Sequence, residues 1–324
     1  MTARRVLVRL PNWLGDLLMA RPLLHALRAA LPGATIDAQG PGASELLARE
    51  QLWDRWSRPA TERAAAAPVE APHDAAIILP PSFSSAWRVG FGVPLRIGFA
   101  ADGRSWLLTH AVRRPARGDL HLSAEYLGLG APLGVQAVPL PILEPTADER
   151  EQAAARVRSL APGGGPTAIL APGAIYGPAK RWPVERFIAL GRRLVGSGFT
   201  LLVCGAGVDR AVAEAVAGGI GPSAHALAGE TTLGEQLALC ATAGFTACND
   251  SGIAHLAAAS GCPTVVIFGS TSSAWTVPLG PRVTVVQHAP VCAPCFQRDC
   301  RIGYRCLTAV QVAEVVRACR KAAA

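Results

Sequence analysis

The sequence predicts an α/β protein of two Rossmann-like domains, each built on a parallel sheet. Apolar strand-like segments alternate with helical segments through both halves of the chain, as in parallel sheets with crossover helices. The length of 324 residues exceeds what one typical core holds. In mid-chain, the breaker APGGGP at residues 161–166 separates two strand-loop-helix series. These three observations together favour two similar domains joined by a short linker.

Each predicted domain opens with an apolar strand, a glycine-containing loop and a helix. The first strand is RVLVRL at residues 5–10, and TAIL at residues 167–170 begins the second series. We expect domains at residues 1–162 and 163–308, followed by a C-terminal helix at 309–324 that could pack back on the first domain. Two such domains would face a central cleft, with ligands at the carboxyl ends of the strands.

The apolar segments do not have the pattern of a membrane protein. Charged residues interrupt every apolar run before it reaches the roughly 18 residues that a spanning helix needs. Arg9, Asp16 and Arg21 divide the apolar N-terminal stretch, which therefore lacks the uninterrupted core of a signal peptide. We expect a soluble, cytoplasmic protein.

The basic residues also limit the choice of partner. The formal charge is +8, but the arginines are dispersed and aromatic residues make up only 6% of the chain, so we expect no nucleic-acid partner. Residues 76–118 differ, because they carry six arginines against one acid, Asp102. That excess suits a phosphorylated acceptor or an anionic membrane surface. The six are Arg88, Arg96, Arg104, Arg113, Arg114 and Arg117.

Four of the nine cysteines lie close together near the C-terminus, in CAPCFQRDCRIGYRC at residues 292–306. The first half of this C-x2-C-x4-C-x5-C pattern has zinc-like spacing. Reduced structural thiols and a structural zinc site both remain open, whereas disulfides are disfavoured without an export signal. The candidate ligands are Cys292, Cys295, Cys300 and Cys306.

A lysine stands out in the loop APGAIYGPAKRWP, residues 171–183. The chain has only two lysines, Lys180 and Lys321, among its 31 basic residues. A strand ends before the loop and a helix starts near Pro183, so main-chain N–H groups and a compact ammonium could bind an anion such as a diphosphate. The alternative is a solvated lysine in an ordinary glycine- and proline-containing loop.

Three further loops place acids where strands run into helices. In CNDSGIAHLAAASG, Asp250 could bind sugar hydroxyls and His255 a phosphate, although Asp250 could instead cap the helix. In LAGETTL, Glu230 could bind a ribose diol or simply favour a helix start. In PNWLGDLLM, Asp16 could be a helix-start acid or a general base. CGAGVDR is a poor dinucleotide fingerprint, because Arg210 takes the place of its third glycine.

Taken together, these segments resemble the ADP-heptose:lipopolysaccharide heptosyltransferases, and most closely their heptosyltransferase II branch. The resemblance rests on five ordered segments over nearly the whole chain: PNWLGDLLM, LPPSFSSAW, PGAIYGPAKRWP, LAGETTL and NDSGIAHLAAA. It implies a GT-B fold, a first domain that binds the acceptor and a second that binds the ADP-sugar. It also implies transfer with inversion, no required metal or other cofactor, and possible peripheral contact with the inner membrane.

The resemblance further implies the substrates and the site residues. The donor would be ADP-L-glycero-D-manno-heptose, and the acceptor the first heptose of the inner core on lipid A carrying Kdo. Asp16 would be the general base, and Lys180 would stabilise the departing ADP. The implied donor-binding residues are Gly173, Tyr176, Lys180, Glu230, Thr231, Asp250, Ser251, Gly252 and His255; the acceptor-binding residues are Asn12, Trp13, Ser82, Phe83 and Ser84.

The chain departs from the branch at three positions. Pro81 and Ser84 replace an amide and a lysine near the implied acceptor site, and Ala254 replaces a common methionine. A GT-B transferase that uses another nucleotide sugar or acceptor therefore remains an alternative. The cysteine cluster leaves open a second one, a zinc- or nucleotide-binding interaction protein.

Overall fold

A computed structural model describes residues 3–58 and 72–324. The chain divides into two compact units, Met1–Pro141 and Ile142–Ala324. The division lies before the linker that the sequence indicated, because the helix at Ala147–Leu160 packs on a helix of the second unit. Ala153 of this helix is fully buried beside Leu239, so the helix belongs to the second core.

The first unit is a six-stranded parallel sheet with helical segments after most strands. Its strand order is β3-β2-β1-β4-β5-β6. The strands are β1 Arg5–Arg9, β2 Thr35–Gln39, β3 Arg55–Ser57, β4 Ala75–Ile78, β5 Leu95–Phe99 and β6 His110–Val112. The α-helices are α1 Leu14–Ala30, α2 Phe83–Val89 and α3 Leu122–Gly128, and short 3-10 segments lie at Gly42–Glu50, Ser105–Leu107 and Ala131–Leu133.

The second unit repeats this topology with a second parallel sheet, in the order β12-β11-β10-β7-β8-β9. Its strands are β7 Thr167–Ala171, β8 Thr200–Val203, β9 Ala224–Ala226, β10 Thr246–Asn249, β11 Thr264–Phe268 and β12 Val283–Gln287. Its helices are α4 Ala147–Leu160, α5 Val184–Val195, α6 Arg210–Ile220, α7 Leu233–Thr242, α8 Gly252–Ala259, α9 Ser273–Thr276, α10 Arg305–Ala309 and α11 Val312–Ala323, with 3-10 turns at Pro178–Lys180 and Gly207–Asp209.

The central strands are continuous apolar runs because helices cover both faces of the sheet. Every residue of β7 and of β11 is buried, whereas the edge strand β12 is half-buried. In each sheet the strand order reverses between the first and fourth strands, β1 and β4 or β7 and β10. Ligand sites of doubly wound sheets lie outside the carboxyl ends of such strands.

The C-terminal helix belongs to the second unit. The helix α11 packs against α5, β11 and β12. Val315 and Cys319 on its apolar face are buried in the core formed with Phe187 and Leu190 of α5. The sequence had left this helix as a separate element that could pack on the first domain, but its apolar stripe completes the second core.

A buried ion pair anchors α1 in the first unit. Arg21 Nε donates to Glu50 Oε2 at 2.8 Å, and Arg21 Nη2 donates to the main-chain oxygen of Pro141 at 2.9 Å. Burial disfavours the Glu50 carboxylate, but the hydrogen bonds from Arg21 and His25 outweigh it and hold the pKa of Glu50 below its ordinary value. The pair therefore fixes the helix whose first turn carries Asp16.

We expect Glu50→Gln to lower the free energy of unfolding by about 3 kcal/mol at neutral pH, since it leaves the buried Arg21 charge without its carboxylate. A depressed pKa in the folded state stabilises the fold above the unfolded pKa, ordinarily 4.5, and this contribution is lost as the pH falls through the folded value. Urea unfolding at several pH values should show the difference between variant and wild type shrinking in acid. A difference that does not change with pH would contradict this role.

Candidate functional site

Apart from Glu230 and Thr231, which follow the edge strand β9, the substrate-binding residues that the sequence predicts follow the strands at which each sheet reverses its order. In the second unit, the loop at residues 171–183 follows β7 and the segment Asp250–His255 follows β10. In the first unit, Asp16 follows β1, and Ser82, Phe83 and Ser84 follow β4. Each unit therefore gathers its candidates at the sheet edge where ligands of this architecture bind.

Lys180 and Asp250 form an ion pair at the reversal point of the second sheet. Lys180 Nζ lies 2.6 Å from Asp250 Oδ2, and the Thr271 hydroxyl donates to the same carboxylate oxygen at 2.6 Å. Asp250 is only 2% exposed. Because a buried carboxylate is stable only when charge and hydrogen bonds compensate it, these partners fix its position. The solvated-lysine interpretation of Lys180 is therefore wrong.

The structure also rejects the capping interpretation of Asp250. The residue that caps α8 is Ser251, which has extended backbone angles and makes no side-chain capping bond. The Asp250 carboxylate instead contacts Lys180 and Thr271, which lie on other loops of the sheet edge. His255 is buried on α8, and Ala254 beside it packs with Phe268 in the core of the sheet.

Asn249, the last residue of β10, ties down both ends of the Lys180 loop. Its Nδ2 donates to the main-chain oxygen of Pro172 at 2.7 Å, and its Oδ1 accepts from the Trp182 main-chain N–H at 3.0 Å. Asn249 is fully buried. Sequence reasoning missed this residue, although its place directly before Asp250 at a strand end was a usable signal.

The cysteine-containing segment supports the Lys180 loop from outside. Arg298 Nε donates to the main-chain oxygen of Tyr176 at 2.7 Å, and the Arg298 main-chain oxygen accepts from the Ala179 N–H at 3.0 Å. The Tyr176 hydroxyl donates to the main-chain oxygen of Phe296. Lys180 Nζ lies 4.9 Å from the centre of the Tyr176 ring, within cation–π range. No sequence pattern indicated this role for Arg298.

The cysteines themselves do not form a metal-ligand cluster in the described residues, where no three His, Cys, Asp or Glu side chains converge as ligands. All four are free thiols, and the Cys300 sulfur accepts the Tyr304 main-chain N–H at 3.2 Å. Cys306 is buried, and burial raises the pKa of its thiol. The zinc interpretation gains no support from this geometry and stays a prediction.

Two buried hydroxyl groups adjoin the carboxylate and its hydroxyl partner in the sequence, because Ser251 follows Asp250 and Ser270 precedes Thr271. Ser251 Oγ and Ser270 Oγ are buried, and neither makes a hydrogen bond to any of the residues that the structure describes. Ser270 adjoins the Lys180 loop, since its main-chain N–H donates to Ala179. Because buried hydroxyls normally have partners, these two are available to a bound oxyanion or sugar.

The glycine at the start of the Lys180 loop has a packing role. A Cβ on Gly173 would lie 2.2 Å from the carboxyl carbon of Asp209. Asp209 closes the turn after β8 by accepting the Ala206 main-chain N–H at 3.1 Å, and burial raises the pKa of Asp209. The GAGVD segment is thus a closed turn packed against Gly173, in agreement with the poor match to a dinucleotide fingerprint.

Glu230 and Thr231 lie on the loop between β9 and α7. The helix is capped by the Thr232 side chain and has Glu235 in its first turn, so Glu230 is not its helix-start acid. Glu230 is exposed, with Arg210 Nη1 3.5 Å from its Oε1. The Thr231 hydroxyl donates to Gln236 Oε1 at 3.3 Å. The carboxylate of Glu230 is therefore accessible at this edge.

In the first unit, Asp16 lies in the first turn of α1, where the sequence placed it, and is half-buried. Asn12 and Trp13, directly before the start of α1, are exposed. Burial raises the pKa of Tyr126 well above its ordinary value, and the nearby Asp16 charge raises it further. Asp16 therefore has an aromatic neighbour on α3 and lies beside exposed polar and aromatic groups.

The loop that carries Ser82, Phe83 and Ser84 is held by a buried arginine. Arg104 donates to the main-chain oxygens of Pro80, at 2.5 Å, and Ser82, at 3.0 Å. It is fully buried, and burial lowers the pKa of its guanidinium to about 10. Asp102 accepts the Phe83 main-chain N–H at 2.6 Å. Arg104 therefore supports this loop. The local arginine excess had suggested that it could bind a phosphate, but the buried guanidinium is not available for that.

The fold and the site together define the class. The chain has two parallel sheets with the same strand order, and each sheet has its candidate loops at the point where the order reverses. This architecture is that of a two-domain glycosyltransferase of the GT-B type. No helix within residues 3–58 and 72–324 is long and apolar enough to cross a membrane.

Comparison with known proteins gives the family. The model for glycosyltransferase family 9 (heptosyltransferase) matches residues 69–305, and the chain belongs to this family. It is 30% identical to lipopolysaccharide heptosyltransferase 2 of Escherichia coli K12 over 314 residues, covering 87% of this chain and 88% of that protein. It is 28% identical to lipooligosaccharide heptosyltransferase 2 of Haemophilus influenzae, with the same coverage. The solved structure of E. coli ADP-heptose lps heptosyltransferase II superposes with a TM-score of 0.83 at 25% identity, over 98% of each chain.

We expect Gly177→Ala to lower the melting temperature. Gly177 has a φ of +154°, and a Cβ there would lie 2.5 Å from the Arg298 main-chain oxygen, so strain and clash together should cost about 1–3 kcal/mol. Gly218→Ala in α6 is the control, because its Cβ would meet nothing within 4 Å and alanine favours the helix. Equal melting temperatures for the two variants, measured by calorimetry, would contradict the contact between the Lys180 loop and the cysteine-containing segment.

Proposed function

We propose that this glycosyltransferase transfers heptose from ADP-L-glycero-D-manno-heptose to the first heptose of the lipopolysaccharide inner core, with inversion and without a required metal ion. The buried Lys180–Asp250 pair at the reversal point of the second sheet is the observation that carries the proposal. Similarity to proteins named lipopolysaccharide heptosyltransferase 2, and to a solved ADP-heptose transferase, supports these substrates.

The second unit would bind the ADP-sugar around this pair. An ammonium has three donors, so Lys180 could keep its contact with Asp250 and also donate to the diphosphate. The hydroxyls of Ser251 and Ser270 and the N-terminal N–H groups of α8 add donors for phosphate oxygens. These groups supply positive potential for the departing ADP, a role that a metal ion fills in other transferases.

Further contacts would orient the donor. The free lone pairs of the Asp250 carboxylate can accept from heptose hydroxyls, while Thr271 holds it in place. Glu230 is accessible to the ribose hydroxyls, and Thr231, Gly173, Tyr176, Gly252 and His255 complete the proposed donor site.

The first unit would bind the acceptor and provide the base. As the acceptor hydroxyl oxygen forms its bond to the anomeric carbon, the Asp16 carboxylate takes the hydroxyl proton and the bond from that carbon to the diphosphate oxygen breaks. One displacement from the opposite side inverts the configuration and releases ADP. Asn12, Trp13, Ser82, Phe83 and Ser84 would contact the acceptor. We place the enzyme in the cytoplasm, in peripheral contact with the inner membrane.

We expect Lys180→Ala to weaken ADP binding by about tenfold or more, because a charge-assisted contact with the diphosphate is worth about 1.5–3 kcal/mol. Lys180→Arg should restore it only in part, since a planar fork replaces a point charge. Lys321→Ala, which alters the only other lysine, on α11, is the matched control and should bind like wild type. Titration calorimetry with ADP measures all three, and an unchanged affinity in Lys180→Ala would remove the diphosphate role.

The function itself is tested by incubating the protein with ADP-heptose and a lipopolysaccharide truncated after its first heptose. Mass spectrometry should find one added heptose, with EDTA present or absent. Asp16→Asn should lower turnover by about 10²-fold or more with ADP affinity retained, as expected for loss of a general base. If the protein transferred sugar from a UDP- or GDP-sugar and not from ADP-heptose, the proposed donor would be wrong. No transfer, together with stoichiometric zinc, would favour an interaction protein.

A further inference from the structure

Four aromatic side chains of the first unit form an exposed cluster, here called the aromatic patch. Phe83, Trp87, Phe91 and Trp106 are 36%, 56%, 61% and 60% exposed. Trp106 is central, with its ring centre 6.2 Å from that of Phe83, 6.5 Å from Trp87 and 6.2 Å from Phe91. Contiguous apolar surface of this kind marks an interaction site more often than an isolated exposed residue does.

The patch is held on a rigid support. Arg104 fixes the loop before α2, and Asp102 accepts the main-chain N–H of Phe83 at the start of that helix. The buried Arg96 guanidinium lies 5.5 Å from the centre of the Phe91 ring and donates to the Leu107 main-chain oxygen at 2.7 Å. The rings therefore stay exposed because the backbone beneath them is fixed.

The charge around the patch favours an anionic partner. Residues 76–118 carry six arginines against Asp102, and four of the six are not buried, since only Arg96 and Arg104 lie beneath the surface. Arg88 lies beside Trp87 on α2, and Arg113 and Arg117 are exposed further along the same segment. Two copies of such a surface would repel each other, whereas anionic headgroups would attract it.

The position of the patch relates it to Asp16. The helix α2 follows β4, Trp106 follows β5, and Asp16 follows β1, which pairs with β4. Because these strands are parallel neighbours, all three segments lie at the same edge of the first sheet. A surface bound through the patch would therefore meet the edge that carries the proposed base.

We propose that the aromatic patch docks the enzyme on an anionic lipid bilayer by inserting Trp87, Phe91 and Trp106 at the headgroup boundary. Tryptophan rings favour that boundary, and neighbouring arginines add attraction to anionic lipid. The benefit to catalysis rests on the proposed function, since the acceptor is then a lipid-anchored sugar presented to Asp16. Lipid binding itself does not rest on it.

The test uses phosphatidylcholine vesicles with and without phosphatidylglycerol, no donor and no acceptor. Wild type should sediment with the anionic vesicles only. Trp87→Ser/Trp106→Ser should bind them at least about tenfold more weakly, because it loses two interfacial anchors. Val291→Ser, at a fully exposed apolar residue of the second unit, should bind like wild type. As a second measurement, vesicles with brominated acyl chains should quench the tryptophan fluorescence of the wild-type protein.

Several results would overturn the proposal. These are wild type failing to bind anionic vesicles, the double variant binding them equally well, an equal loss in Val291→Ser, or no quenching by brominated lipid. A wild-type dimer that the double substitution converts to a monomer would assign the patch to a second copy. Transfer to a water-soluble, deacylated acceptor should be unchanged in the double variant, so that failure of docking is distinguished from failure of the proposed transfer.

Discussion

The buried carboxylate of Asp250 is the constraint on which the second unit's site depends. A carboxylate taken out of water is costly, and it is tolerated here because an ammonium and a hydroxyl both contact one of its oxygens. Lys180 can reach it only if the loop after β7 lies against the end of β10. Asn249 enforces that by bonding both ends of the loop. The charge pair, the loop and the strand pairing therefore stabilise one another.

The same constraint gives the cysteine-containing segment a structural role. Its contacts to the Lys180 loop run through Arg298 and the Phe296 main chain, whereas no cysteine sulfur bonds the loop in the described residues. The sequence drew attention to the thiols because their spacing is unusual. The residues that contact the Lys180 loop, Phe296 and Arg298, lie between the cysteines. Their role became evident only from the tertiary structure, which places them against that loop.

The first unit shows a related contrast among its arginines. By composition the six arginines of residues 76–118 are equivalent, yet they differ in burial, with Arg88 and Arg114 between the extremes. Arg96 and Arg104 are buried and bind main-chain oxygens beneath α2 and the Ser105–Leu107 turn, while Arg113 and Arg117 are exposed. The buried pair shapes the surface on which the aromatic rings are displayed, and the exposed pair contributes to its potential.

Much of this protein follows from local sequence alone. Strand and helix alternation predicts both parallel sheets, because each segment has the periodicity of its own element. Strand-end loops give Asp16, Lys180, Glu230 and Asp250 as candidates, because parallel strands present their carboxyl ends at one edge. The domain division was placed too late, since APGGGP resembles a linker while α4 before it packs on the second core.

Tertiary structure alone decides which candidates meet. Lys180 and Asp250 are seventy positions apart, and they pair because β7 and β10 are neighbours where the sheet reverses its order. Thr271 lies just after β11, the neighbour of β10, and reaches the same carboxylate for the same reason. The periodicity of apolar residues within a strand or helix does not predict strand order, because that order is set by how the helices cover both faces of the sheet. The sequence therefore determined which chemical groups each loop offers. The fold determined that Lys180 and Thr271 both contact the carboxylate of Asp250.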